Sequence, residues 1–157
     1  QRRKGADESP YINHPFAVAS ALCDEGGVTD GELLAAALLH DTIEDTATTQ
    51  EELRKVFGTR IAGIVAEVTD DKRLTKAERK RLQLDNASHV SRDAQQHKIA
   101  DKLCNLREIL SSPPADWPLF RKCQYFDWAK AVVDQVRESN PGLAEKFDAA
   151  YAQRSKL

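Results

Sequence analysis

Gly31-Glu-Leu-Leu-Ala-Ala-Ala-Leu-Leu-His-Asp-Thr-Ile-Glu-Asp45 is the stretch whose reading decides the fold. Thr29, three residues ahead of Glu32, supplies a capping box and opens a helix. Leu33, Leu34 and the run 35–39 are apolar on every side, so the spacing predicts a central, buried helix. Its end turns abruptly polar, with His40, Asp41, Glu44 and Asp45 at positions i, i+1, i+4 and i+5. Residues four apart share a helix face, which sets His40 beside Glu44 and Asp41 beside Asp45. Three carboxylates this close repel one another and lose hydration unless a cation compensates. Imidazole together with carboxylate suits a divalent ion such as Mn, Fe, Zn or Co. A His-Asp pair alone is more often a solvated helix end, and the Glu44-Asp45 continuation shifts the balance.

Outward from that helix the pattern stays helical, and no segment alternates like a strand. Residues 16–23, after Pro15, form a small-residue helix that stops at Gly26-Gly27. Thr49 with Glu52 and Thr75 with Glu78 repeat the capping signature, and Gly58 closes the helix between them. Ile61, Ile64, Val65 and Val68 mark one helix face, and Ile99, Leu103, Leu106 and Leu110 mark another. Pro113-Pro114 breaks the chain before Trp117, Phe120, Tyr125 and Trp128, which carry most of the aromatic mass. Asn140-Pro141 reads as the N-cap and first residue of a last helix. The expected fold is all-α, a single helical-bundle domain over residues 1–157.

Bulk properties narrow the function. The 157 residues are 41% hydrophobic and 31% charged, enough for a core of ordinary size. A net charge of -2 argues against a general affinity for nucleic acid or membrane. No apolar run approaches a membrane span, and no signal peptide is visible. Cys23, Cys104 and Cys123 are odd in number and lack CxxC spacing, as expected for reduced thiols in a cytoplasmic protein. Gln1 and the absence of Met suggest a sequence that starts after its natural beginning.

Two further residues stand out as ligand candidates. His14, in Tyr11-Ile-Asn-His-Pro15, sits at a helix entry, where a side chain can aim inward or simply bond to backbone. Asp101 lies among Ile99 and Leu103 on an apolar stripe and shares a face with Asn105. Its plainer reading is a salt bridge to Lys98 or Lys102. His89 and His97 stand in polar surroundings and read as surface residues. Basic residues gather at Arg2-Arg3-Lys4 and again between Lys72 and Arg81. The second group as a whole reads as a solvated helix face.

His14, His40-Asp41 and Asp101 resemble the H…HD…D signature of the HD phosphohydrolase superfamily. More narrowly, QRRK, SPYINHP, ALLHDTIEDT, EVTDDK and KIADKLCNLRE resemble the alarmone-hydrolase branch of the RelA/SpoT family. The small, stand-alone form of that branch, the metazoan SpoT homologues included, is the nearest likeness. It is co-linear from residue 1 to about Tyr125, and the length leaves no room for a synthetase domain.

The resemblance implies that His14, His40, Asp41 and Asp101 ligate one metal ion, usually Mn2+. It implies that Glu44 and Asp45 orient and deprotonate the attacking water. The implied reaction removes pyrophosphate from the 3′ position of guanosine tetra- or pentaphosphate. Arg3, Lys4, Tyr11, Lys76, Asn105, Arg121 and Tyr125 fall on positions that contact the nucleotide in relatives. Tyr125 reads equally as core packing. Relatives carry a helix ahead of QRRK that is absent here, and Cys104 stands where many have Tyr or His. Two other functions are compatible with the same motifs: removal of the 2′-phosphate of NADPH, and nucleotide binding without catalysis. The expected partner in each case is a small nucleotide, with neither nucleic acid nor membrane.

Overall fold

Side-chain caps fix most helix starts. The computed structural model describes residues 10–157, and its regular structure is helical, with no β-strand among the described residues. Nine α-helical segments follow in order among those residues: α1 Asn13–Ser20, α2 Gly31–Leu39, α3 Thr42–Asp45, α4 Gln50–Phe57, α5 Thr59–Val68, α6 Lys76–Asp85, α7 Arg92–Ser111, α8 Leu119–Asp134 and α9 Pro141–Tyr151. Thr49 and Thr75 form the expected capping boxes with Glu52 and Glu78. The start of α2 corrects the sequence reading. Asp30, not Thr29, is its cap, and its carboxylate accepts from the Glu32 and Leu33 amides at 3.0 and 3.4 Å. Arg60 bridges that cap to Glu32 and to Asp93, drawing α5, α2 and the start of α7 together.

The 20-residue helix α7 is the axis of the bundle. Ile99, Ala100, Leu103 and Leu106 are fully buried along it, and α1, α5, α8 and α9 pack around it. Burying each such large side chain contributes roughly 1.5–3 kcal/mol. The aromatic centre of the core is Phe126 with Phe147, both wholly buried, whereas Phe120 is largely exposed. Helix α2 is less enclosed than its composition suggests. Leu33, Ala36 and Ala37 are buried, while Leu38 on the opposite side faces outward.

Two glycines shape the joints. At Gly58 the chain takes φ 91°, a conformation L side chains rarely adopt, and turns directly from α4 into α5. Helix α1 does not stop at Ser20 but widens into a π-helical turn, Ala21–Glu25, closed by Gly26 N–H to Ala21 C=O at 2.9 Å. A Cβ on Gly26 would lie 2.8 Å from the Leu22 carbonyl and 2.9 Å from the Leu143 side chain, so only glycine lets α9 approach.

Asn140 locks that approach. Its side chain accepts from the Leu143 amide at 3.1 Å, donates to the Gly26 carbonyl at 2.9 Å and donates to Gln96 at 3.0 Å. Asn140→Ala therefore removes a cap and unpairs two partly buried acceptors. The expected loss is about 2 kcal/mol in urea unfolding, against a few tenths for an exposed Asn→Ala such as Asn13→Ala.

Candidate functional site

Helix α2 ends at Leu39, and the polar run that follows is not a simple continuation of it. His40 and Asp41 occupy the joint between α2 and α3, with Asp41 at φ -93°, ψ -1°. The four-apart pairing survives this joint: His40 and Glu44 line one cleft, and Asp41 and Asp45 line a neighbouring groove. Glu44 lines the same cleft as His40 and Asp41, whereas Asp45 lines a groove with Tyr11, Pro15 and Leu38. Asp45 pairs with Lys72 at 2.9 Å, and Lys72 also donates to the Glu44 carbonyl.

The cleft, about 160 Å³, brings together Tyr11, His14, His40, Asp41, Glu44, Asp101 and Asn105. Ligand atoms of His14, His40 and Asp41 lie within 4.8 Å of one another. Asp101 joins them from α7, its Oδ1 3.0 Å from His14 Nε2. The two rings of His14 and His40 meet edge to face with centroids 5.5 Å apart. Tyr11 donates to Asp41 Oδ2 at 2.6 Å, and Asn105 donates to Asp101 Oδ1 at 3.2 Å.

Asp101 makes the expected salt bridge and also reaches the cleft. Its Oδ2 accepts from Lys102 at 2.8 Å, and its Oδ1 faces His14. Burial by itself would raise the Asp101 pKa, but the Lys102 charge and the His14 contact outweigh it and hold the group well below the usual range. Burial works against the Lys102 charge too, and the same Asp101 keeps that lysine protonated above its ordinary value.

The donor set fits a divalent cation. His40 Nδ1 donates to the Ala37 carbonyl at 2.6 Å, because a carbonyl can only accept. A neutral ring then presents its Nε2 lone pair to Asp41 Oδ2 only 2.9 Å away. Two lone pairs at that separation repel unless a positive charge lies between them. A proton is one answer, and burial opposes it. The Asp41 contact and the Asp41 and Asp101 charges nonetheless hold the His40 pKa above its usual value. A divalent ion is the other, and it suits both histidines and both carboxylates together.

Glu44 is tuned differently from its neighbours. Burial is the main cause that raises its pKa, and the Asp70 and Asp41 charges add to it, against the Asp70 amide that donates to it at 2.6 Å. Asp70 in turn accepts from the Gln83 amide at 2.9 and 2.7 Å. These supports drew no attention in the sequence, where Gln83 is simply one polar residue on a basic helix.

His97 requires a correction. Its polar neighbours suggest a surface position, yet the side chain is buried and packs edge-on against His40, centroids 4.6 Å apart. It lies one turn before Asp101 on α7 and so shares the inward face. Burial, reinforced by the His40 charge, pushes its pKa well down and keeps the ring neutral. His89 is exposed, as read.

The other expected nucleotide contacts lie outside the cleft lining. Arg121 lies over Trp117 at 4.3 Å and Lys76 over the same ring at 5.4 Å. Tyr125 packs between Trp117 and Trp128, with centroids 5.9 and 5.4 Å away. Lys80 and Lys102 each sit 4.8 Å from the Trp128 ring, which ties this cation–aromatic stack to Asp101. The solvated-face reading therefore holds for Arg73, Lys76 and Arg81, which are exposed, but fails for the half-buried Lys80. Arg3 and Lys4 lie outside the described residues. A second cavity of about 450 Å³ shares His14 with the cleft and runs along α1, the π-helical turn and α7, past Cys104, Arg107 and Glu108.

Two histidines and two carboxylates at one end of an all-helical bundle define a metal-dependent hydrolase of the HD type. The chain belongs to the HD domain family, whose model matches residues 1–124. It is 49% identical over 154 residues to the Danio rerio guanosine-3′,5′-bis(diphosphate) 3′-pyrophosphohydrolase MESH1, covering 98% of this chain and 86% of that one. The Homo sapiens protein of the same name is 48% identical, with the same coverage. A solved structure described as a metazoan ortholog of SpoT that hydrolyzes ppGpp superposes with a TM-score of 0.95 at 48% identity, covering 100% of this chain and 88% of that one. A Listeria monocytogenes structure at 24% identity shares the fold, with a TM-score of 0.78, covering 92% and 97% of the two chains.

One prediction concerns the wall of the larger cavity, where Arg107 grips Glu25 at 2.5 and 2.8 Å. The hydrogen bond from Arg107, more than its charge and against partial burial, lowers the Glu25 pKa below 4.5. The stability this pair contributes is fully present above the unfolded value near 4.5 and is lost as pH falls through the depressed folded value. Thermal melts from pH 6 to pH 3 are expected to fall less steeply for Glu25→Gln than for the parent chain. Parallel curves would contradict this.

Proposed function

We propose that this chain is a guanosine-3′,5′-bis(diphosphate) 3′-pyrophosphohydrolase, acting as one domain over residues 1–157 in the cytoplasm. The observation that carries the reading is the cleft itself, in which His14, His40, Asp41 and Asp101 converge from three parts of the chain beside a carboxylate with a raised pKa. The relatives named above support the choice of substrate. Three cysteines, odd in number and without CxxC spacing, suit a reducing compartment. No helix among the described residues is long and apolar enough to cross a membrane.

His14, His40, Asp41 and Asp101 would hold one divalent ion, Mn2+ in our reading. When bound, that ion lowers the pKa of water and stabilises charge on a phosphoryl oxygen. The chain's own residues do the rest. Ala37 fixes His40 in the tautomer whose Nε2 points into the cleft. Tyr11 and Asn105 steady the carboxylates of Asp41 and Asp101. Glu44, whose pKa burial has raised, accepts the proton of the attacking water. Asp45, paired with Lys72, would act with Glu44 in orienting the attacking water. Attack at the 3′-phosphorus releases pyrophosphate and leaves the 3′-hydroxyl of the nucleotide.

The 450 Å³ cavity sharing His14 is large enough to receive the nucleoside. Arg3, Lys4, Lys76, Arg121 and Tyr125 would meet the phosphates that lie outside the cleft.

The test is phosphate and pyrophosphate release from ppGpp and from NADPH by Mn2+-loaded protein, with and without chelator. Pyrophosphate from ppGpp, abolished by chelator, is the expected result. Phosphate from NADPH alone would assign the chain to the other reaction, and no turnover of either by metal-loaded protein would make it a binding module. Glu44→Gln is expected to keep its metal and lose about 10²–10⁴-fold in kcat. Asp101→Asn is expected to lose metal measurably by elemental analysis, because it removes a ligand charge and unpairs Lys102.

A further inference from the structure

Two lysines are buried on the inner face of α7, one turn apart, and they differ in one respect. Lys102 has an anionic partner, Asp101, at 2.8 Å. Lys98, 8% exposed, makes no hydrogen bond or ion pair with any described residue. Its side chain borders the catalytic cleft and also a second cavity of about 360 Å³ beneath α6.

The carboxylates nearest to Lys98 are committed elsewhere. Asp70 is occupied by Gln83, Glu67 accepts from Ser91 at 2.8 and 2.5 Å, and Asp101 is held by Lys102, His14 and Asn105. Their charges favour the ammonium only at a distance, while burial and then the Lys102 charge oppose it and bring its pKa down to about 8. An unpaired buried ammonium is destabilising, and an apolar side chain would fill the same space without that cost. An anion entering the cleft would supply the missing partner.

We propose that Lys98 is a substrate-contacting residue of the inner cleft, its ammonium donating to a non-bridging oxygen of the 3′-diphosphate. The inference rests on the pyrophosphohydrolase reading and adds a cation that reaches the diphosphate from the side of α7.

Inorganic pyrophosphate is the probe, titrated calorimetrically into Mn2+-loaded parent protein, Lys98→Met and Lys98→Arg, with metal content checked in each. Lys98→Met is expected to bind pyrophosphate about 10- to 100-fold more weakly, the scale of one charge-assisted hydrogen bond. It is also expected to melt at a higher temperature, and Lys98→Arg is expected to recover part of the affinity. Pyrophosphate affinity within about twofold of the parent in Lys98→Met would overturn the proposal. Should neither variant fold, reductive methylation of the parent protein replaces them. Lys98 should be modified in the free protein and protected by pyrophosphate, and equal modification with and without it would overturn the proposal. Failure of the parent protein to release pyrophosphate from ppGpp would instead defeat the pyrophosphohydrolase reading, whatever Lys98 does.

Discussion

A single half-buried carboxylate organises this molecule. Asp101 sits on the longest helix with only part of its side chain open to water, and it remains charged because three groups hold it. His14 comes from α1, while Lys102 and Asn105 come from its own helix. An isolated buried carboxylate would instead protonate or move outward. Keeping it ionised fixes the distance between α1 and α7, and that distance sets the spacing of the cleft. The stack of Lys102 on Trp128 extends the constraint to α8, and Lys80 with the Trp128 indole carries it on to α6.

The division of labour between the two sides of Asp101 explains how a site so rich in charge survives burial. One oxygen is neutralised by the buried Lys102 ammonium. The other is turned to the cleft, where the charge it meets changes with the state of the site. His40 follows the same plan, with one nitrogen spent on a backbone carbonyl and the other reserved. In Asp101 and His40 alike, one atom is anchored and another faces the cleft.

The sequence carried much of this architecture. Capping boxes at Thr49 and Thr75 are local, depending on two residues three apart, and both appear as read. The stripe on α7 was legible for the same reason, since period alone identifies a buried face. What failed was whatever depended on long-range packing. His97 looked exposed because its neighbours are polar, and only the orientation of α7 reveals that it faces inward. Lys80 looked solvated because no local signal announces Trp128, far along the chain. Lys98 was visible only as a salt-bridge partner for Asp101, a role that Lys102 fills.

The bond from His40 to the Ala37 carbonyl has a consequence for how freely the sequence can vary. The group that aims the imidazole is main chain, present whatever side chain occupies position 37. Replacements there are judged by volume against the core, not by chemistry. Leu38, one residue on, points to solvent and is freer still. The aim of a reactive side chain is therefore inherited from the way a helix ends. It drifts only if an insertion, a deletion or a proline disturbs that last turn.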